Sequence, residues 1–427
     1  MSSLFRNSRR RYSLAIIAIT CLGIVSAGYG AIQLRPDLGG QGADLLRGIV
    51  GDRVVAFLET TVFQAQDRVN SMSYRLGAAQ PAAPWDAAPA TTPGAQAPLA
   101  NATMPAIPRD QLSTNPHMPS TLPSPVPAPT APRSTPRPTS AMPAMSPAWQ
   151  LPTLPIFGTL TGAGQWSAYL RDGAGQVVAE RTFLQPDPDR PYAVAAIVAF
   201  DLQATRLHFV LGSDEPRSPV VIRRSGAIPA ADRRSGSVLA AFNGGFKARH
   251  GHFGVMVDGT TVLPPINGFG TVAIYRDGHV HVGAWGADVK ASPDVLAWRQ
   301  NGPLVIENSQ INPHTADVTS HDWGIILNGV TAVWRSGLGI SADGRTLYYV
   351  AGNSLTLPML VRTLAATGAS AALQLDINLG MVHFDAIQST PAGLVPSPLF
   401  ASMKTQRDSR FLNSDTRDFF YITSRNG

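Results

Sequence analysis

Between Ala79 and Pro155 the chain turns into proline, alanine, threonine and serine, and twenty of its thirty-six prolines fall there. Such a stretch cannot build a core of its own, because its large apolar side chains are sparse and its prolines remove backbone donors. Runs such as Pro123, Pro125, Pro127 and Pro129 favour extended polyproline segments of about 3.1 Å per residue. Residues 79–150 are therefore predicted to be a disordered linker, a spacer first and a partner-docking segment second. Whatever folds must lie on either side of it.

On the N-terminal side, Arg6, Arg9, Arg10 and Arg11 precede an uncharged run from Tyr12 to Leu34, almost wholly apolar from Leu14 to Val25. At about 1.5 Å per residue that run can cross a hydrocarbon core of about 30 Å. Arginines in front of it keep the N-terminus in the cytoplasm. Residues 1–35 are thus expected to be a basic tail and transmembrane anchor, single-pass in a bacterial inner membrane with a periplasmic C-terminal domain. A second reading stays open: a signal peptide cleaved after Val25-Ser26-Ala27, and secretion.

The same four arginines supply most of the net charge of +6. The exported part is close to neutral, so the basic balance reports topology and gives no reason to expect a nucleic-acid partner. The only cysteine, Cys21, sits in the apolar run. Beyond it no disulfide, thiolate metal site or cysteine nucleophile can form.

Residues 36–78 read as a juxtamembrane amphipathic helix. Leu45, Leu46, Ile49, Val50, Phe57, Leu58, Val62, Val69 and Met72 recur near helical spacing. Its apolar stripe must be buried, by self-association through residues 44–76 or on the membrane surface.

Residues 151–427 are expected to form an α+β, strand-rich, mixed-sheet domain. Strand-like runs cover 194–200, 207–211, 238–242, 272–275, 280–283, 324–327, 347–350 and 371–375. One helix is plain: Leu357, Leu360, Val361, Leu364 and Ala365 share a face, with Thr356 and Pro358 at its start and Gly368 at its end.

Three stretches of this domain can carry chemistry. Val238 to Phe242 runs into Asn243-Gly244-Gly245-Phe246-Lys247, with Arg249, His250 and His252 close behind. A strand tip with two glycines turns sharply or lets something approach its backbone, and a polar hairpin explains it equally well. Arg335-Ser336-Gly337-Leu338-Gly339 places a planar cation beside small residues, which suits a phosphate or carboxylate oxygen, or a salt bridge to an acid such as Asp376. Finally Leu373-Gln374-Leu375-Asp376 ends a strand on a carboxylate, followed by Ile377-Asn378-Leu379-Gly380 and then His383.

In these three stretches the sequence resembles the phosphodiester glycosidase family over roughly residues 192–384. The family's last motif reads Leu-Asp-Gly-Gly-Gly-Ser, whereas here Leu375-Asp376 continues as Ile377-Asn378-Leu379-Gly380. Exported bacterial members share that variant, together with a segment like Arg299-Gln300-Asn301. The resemblance implies Asn243, Arg335 and Asp376 as catalytic residues, and because each follows an apolar strand they are expected to meet in one cleft. Around them Gly244, Gly245, Lys247, His250, Ser336, Gly337, Asn378 and His383 are candidates for substrate contact.

Phosphate leaves an anomeric carbon as an anion with little acid help, so an arginine and a carboxylate suffice in principle. No cofactor is implied. His250, His252 and Asp376 do not form a recognised metal-ligand pattern. The expectation is an extracytoplasmic hydrolase acting on a sugar-phosphate or polysaccharide linkage. The alternative is a glycan-binding or envelope scaffold protein of the same fold without catalysis.

Overall fold

Short apolar runs separated by turn residues become eighteen strands among the described residues. The computed structural model describes residues 52–86, 148–324, 329–378, 380–403 and 410–425. The uncharged run, most of the proline-rich linker and all but the first residue of the strand expected over 324–327 lie outside these. Among the described residues no helix is long and apolar enough to cross a membrane. The chain divides into two units, Met1–Ala88 with Gln150–Gly427, and Pro89–Trp149; the fold belongs to the first.

The strands begin with β1 (Ser167–Arg171), β2 (Val177–Leu184), β3 (Ala195–Asp201) and β4 (Thr205–Val210). Next come β5 (Val238–Asn243), β6 (Val255–Val257), β7 (Thr260–Leu263), β8 (Gly270–Tyr275), β9 (Val280–Ala284) and β10 (Val295–Gln300). Then follow β11 (Leu304–Glu307), β12 (Gln310–Ile311), β13 (Val333–Ile340), β14 (Thr346–Leu355) and β15 (Ala371–Ile377). The series closes with β16 (Phe384–Thr390), β17 (Gly393–Pro398) and β18 (Phe419–Ser424). Among the described residues two helices exceed two turns, α1 (Asp52–Arg75) and α2 (Leu357–Ala366).

Three sheets result. Eight strands run in the order β1-β2-β3-β14-β13-β15-β11-β12, five in the order β7-β6-β10-β8-β9, and five in the order β17-β16-β5-β18-β4. Named neighbours pair antiparallel, and an isolated bridge between Trp285 and Val289 is parallel. β3 and β5 are buried at every position, which is why they read as unbroken apolar runs rather than alternating ones. Phe200 and Tyr349 of the eight-stranded sheet meet Phe242 and Phe384 of the β5 sheet, with ring centroids 4.8 to 6.3 Å apart. These rings form the seam between the two sheets.

α2 keeps the caps expected of it: Pro358 lies in its first turn, and Gly368 beyond its end has φ 73°. The helix packs on β13 because Gly337 leaves room; a Cβ there would lie 3.0 Å from Leu364 Cδ1. Gly339 makes the same allowance for Ala369. Gly337 and Gly339 thus make room for helix packing within a strand, where the sequence offers them as a place for a ligand to approach the backbone.

Part of α1 is covered within the chain, while Val69 and Met72 of its apolar stripe are exposed. Phe63 packs into a cluster with Phe246, Phe253, Val333 and Ile377. Asp67 accepts the Tyr192 hydroxyl at 2.7 Å, and Asn70 Nδ2 donates to Ser354 Oγ at 3.1 Å. Downstream, inside the stretch expected to be linker, Trp85 covers the Arg181 guanidinium at 4.0 Å and meets Phe183 edge-on at 5.6 Å. Residues 52–86 are a strap fastened to the strand domain through Phe63, Asp67 and Asn70 and again at Trp85. That moves the working boundary of the folded unit well ahead of residue 151.

Candidate active site

Asn243 is the last residue of β5, and its side chain is buried in a knot of hydrogen bonds. Its Nδ2 donates to Ser336 Oγ at 2.9 Å, while its Oδ1 accepts the Tyr349 hydroxyl at 2.8 Å and the His383 N–H at 3.2 Å. Ser336 Oγ passes the contact on, donating to the Asp376 carbonyl at 2.8 Å. The Asp376 N–H donates to the Gly244 carbonyl at 3.0 Å. Three strand ends distant in sequence, those of β5, β13 and β15, are tied together at one point. Asn243, Ser336, Gly244 and Asp376 meet there, and His383 joins through its backbone.

The two glycines at the corner have neither left-handed φ nor an exposed tip. A Cβ on Gly244 would lie 2.5 Å from Asp418 Oδ2, and one on Gly245 would lie 2.7 Å from Arg299 Cζ. Both are glycine because the chain lies flat on a buried ion pair, Arg299 Nε to Asp418 Oδ2 at 2.7 Å. Arg299 spends its remaining donors on carbonyls, reaching Phe246 and Gln300 at 2.6 Å each. Asn301 accepts from the Phe246 N–H and donates to the Gln374 carbonyl. Arg299-Gln300-Asn301 is thus the bed on which the corner and β15 rest.

Arg335 lies elsewhere than the sequence suggests. It is fully buried, and it donates to the carbonyls of Leu355 and Thr331 and to Gln374 Oε1 at 2.7 Å. Burial pulls its pKa down to about 9. Neighbouring residues of a strand point to opposite faces, so Ser336 reaches the Asn243 knot and Arg335 turns away from it. The register confirms a local irregularity, with Arg335 opposite Ile377 and Gly337 opposite Gln374.

The arginine on the Asp376 carboxylate is Arg417. Its Nη2 lies 2.5 Å from Asp376 Oδ2 and 2.8 Å from the Gly245 carbonyl, while Asp376 Oδ1 accepts the Ile377 N–H. Burial pushes the Asp376 carboxyl up, and the Arg417 charge opposes that without cancelling it. For Arg417 burial works against the charge, but Asp376, Asp418, Glu215 and Asp415 together hold its pKa above the ordinary value. Arg417, Asp418 and Glu215 escaped the sequence analysis. A signal existed, since Asp415-Thr416-Arg417-Asp418 stands directly before the aromatic strand β18.

The remaining candidates scatter. Lys247 is half-buried at the start of a short turn and contributes to the field at Asp376. His250 faces its neighbour, its Nε2 accepting from Arg249 Nε at 3.1 Å. The His383 ring is buried against Asp385 Oδ1 at 3.1 Å, away from the carboxylate. Asn378 has φ 84°, a conformation that glycine adopts without strain, and its buried Oδ1 has no hydrogen-bond partner. Among the described residues no group of three or more His, Cys, Asp or Glu side chains is arranged to hold a metal ion.

Residues 236–376 match the model of the phosphodiester glycosidase family, a span that runs from just before β5 to Asp376 itself. No curated protein matches the chain. Fourteen chains of solved structures do. One is the zebrafish N-acetylglucosamine-1-phosphodiester alpha-N-acetylglucosaminidase catalytic domain, auto-inhibited by pro-peptide. It is 14% identical, with a TM-score of 0.39, and the match covers 61% of this chain and 88% of that one. Another is a hypothetical protein from Synechocystis, 11% identical with a TM-score of 0.33, covering 61% of this chain and 62% of that one. Over residues 236–376, which hold Asn243, Arg335 and Asp376, the chain matches the phosphodiester glycosidase domain model.

Proposed function

We propose that the domain hydrolyses the bond between an anomeric carbon and a phosphate oxygen, in a sugar phosphodiester or a phosphate-linked envelope polysaccharide. The observation that carries this reading is the Asp376 carboxylate. It stands at the end of a family-matched strand, buried and paired with one arginine, and fixed through its backbone by Gly244 and Ser336.

Such a carboxylate can attack the anomeric carbon, activate water, or support an oxocarbenium-like transition state. Water adds to the sugar carbon, the carbon–oxygen bond breaks, and the electron pair leaves with the phosphate as an anionic monoester. That leaving group needs no strong acid, which fits a site whose buried histidine, His383, is engaged with Asp385. Lys247 and Arg417 supply positive charge near the carboxylate. Arg335 enters this scheme as the residue that sets Gln374, two positions before Asp376.

The Arg-rich tail and the uncharged run Tyr12–Leu34 support a domain tethered by its N-terminus on the outer side of an inner membrane. The test is turnover of a panel of glycosyl phosphodiesters by the full chain in detergent, read as released phosphomonoester. Hydrolysis that Asp376→Asn abolishes supports the proposal. Absence of turnover across the panel, with sugar phosphates still bound by both proteins, favours the non-catalytic glycan-binding reading.

A further inference from the structure

The two arginines beneath the corner are employed differently. Arg299 gives each of its nitrogens to a protein acceptor: the Asp418 carboxylate and the carbonyls of Phe246, Phe253 and Gln300. It is framework. Among the described residues Arg417 reaches Gly245 and Asp376 through Nη2, and its Nε is buried without a hydrogen-bond partner. A guanidinium kept at 6% exposure with a donor unspent is poorly explained as structural cement, because an idle buried donor costs stability.

Its placement is nevertheless tightly determined. β18 pairs with β5 so that Phe419 faces Asn243, which brings the residue two positions earlier beside the Gly244-Gly245 corner. Asp415 Oδ1 accepts the Arg417 N–H at 2.9 Å. Gly212 lets a neighbouring strand end lie against the Arg417 backbone, where a Cβ would come within 2.4 Å. The charges around the pair are also specific. Asp376 feels Arg417, Asp418 and Lys247; Arg417 feels Asp376, Asp418, Glu215 and Asp415. Arg299 and Arg410 occupy Asp418 and Asp415 in turn, which leaves Arg417 as the direct partner of Asp376.

We propose that Arg417 is the positioning residue of this site, keeping the Asp376 carboxylate charged and aimed while Arg335 serves the framework behind it. The inference rests on the hydrolase reading for its kinetic arm only. A buried carboxylate without a neighbouring cation takes up a proton, and an opposite charge within about 4–6 Å lowers its pKa by about 1–3 units. Arg417 therefore decides the lowest pH at which Asp376 can act as nucleophile or base.

The test compares wild type, Arg417→Gln and Arg417→Lys as full chains in detergent. With a glycosyl phosphodiester as substrate, the acid limb of kcat/KM should move up by about 1–3 pH units in Arg417→Gln, and less in Arg417→Lys. At neutral pH the Gln variant should lose turnover, with the deficit narrowing as pH rises. A uniform loss with the limb unmoved would mean a structural role and overturn the proposal.

A second arm needs no turnover. The difference in thermal midpoint between wild type and Asp376→Asn, followed from pH 4 to 8, reports the titration of Asp376. The same difference in the Arg417→Gln background should shift to higher pH. If wild type proves inactive, the hydrolase reading fails while this arm still decides the pairing. Coincident curves in the two backgrounds would overturn it. Should Arg417→Gln not fold, the Lys variant is read by the same two curves, and no displacement in either refutes the role.

Discussion

Asp67 of α1 accepts a hydrogen bond from the Tyr192 hydroxyl at 2.7 Å, across 125 residues of chain. Arg190 reaches the same carboxylate at 3.4 Å, and the Tyr74 and Tyr192 rings lie 6.3 Å apart. With Phe63 above and Trp85 below, the strap is part of the folded unit. Removal of residues 1–87 should therefore lower the melting temperature of what remains, although the sequence alone starts the strand domain at residue 151. Losing the Phe63 and Trp85 contacts is worth about 2–4 kcal/mol, or roughly 5–10 °C for a domain of this size. Differential scanning calorimetry of the full chain and the truncation decides it; equal midpoints would show that the strap adds nothing.

The strap also gives an alkaline signature. Burial first, and the Asp67 carboxylate second, push the Tyr192 hydroxyl up to about 12. A folded pKa above the unfolded one means that the stabilisation is fully present below about pH 10 and fades as pH rises towards 12. Hydrogen exchange over residues 52–86 should accelerate in that window, and Tyr192→Phe should remove the pH dependence while weakening docking at every pH.

His208 gives the opposite sign. Burial pulls its pKa from the ordinary value to about 4, and its ring stacks on Tyr421 at 4.4 Å. The neutral form is the one the fold accepts, so this contribution is complete above about pH 6.5 and is lost as pH falls through 4. It amounts to at most about 3 kcal/mol. Denaturant midpoints of wild type and His208→Gln should converge as pH drops across that interval. Parallel curves would show that His208 does not carry the acid sensitivity.

Much of the fold was legible because the period of burial survives in the sequence. β3, β5 and β15 are buried on both faces and read as apolar runs; α2 repeats its apolar face and carries its own start and stop residues. β13 was not, because Arg335, Ser336, Gly337 and Gly339 have the composition of a loop. Only the partner helix explains why Gly337 belongs in that strand. The site divides in the same way. Asn243 and Asp376 announce themselves as polar residues ending apolar strands. Arg417 stands 41 residues from Asp376 in a charged stretch, and only the pairing of β18 with β5 brings the two together. Arg335 misleads for a physical reason: strand alternation fixes its side chain on the face opposite Ser336, and sequence alone does not say which of the two faces the carboxylate.

The corner itself is the most demanding place in the chain to alter. Gly244→Ala sets a methyl group 2.5 Å from Asp418 Oδ2 and 2.8 Å from the Asp418 carbonyl, and the latter is backbone held in the sheet by β18. Asp418 cannot swing aside without abandoning Arg299 in a buried position, which costs about 3–5 kcal/mol. Gly244→Ala should therefore destabilise by about 2–4 kcal/mol, in the range of overpacked cores and broken buried pairs.

Asn243→Ala acts on the same knot by another route. It leaves the Tyr349 hydroxyl and the His383 N–H without their acceptor at a position 5% exposed. Two stranded donors cost about 1–3 kcal/mol each where water does not replace the lost partner. Asn243→Asp keeps the oxygen that accepts from both and loses the amide donor to Ser336 and Gly244, while adding a charge near Asp376. The alanine variant should thus lose stability at all pH values. The aspartate variant should lose it above the carboxylate range and recover as that group is protonated, since a buried neutral acid regains a donor. Urea midpoints at pH 4 and pH 8 separate the two. Identical pH responses would remove Asn243 from the centre of the hydrogen-bonded knot and leave it a packing residue.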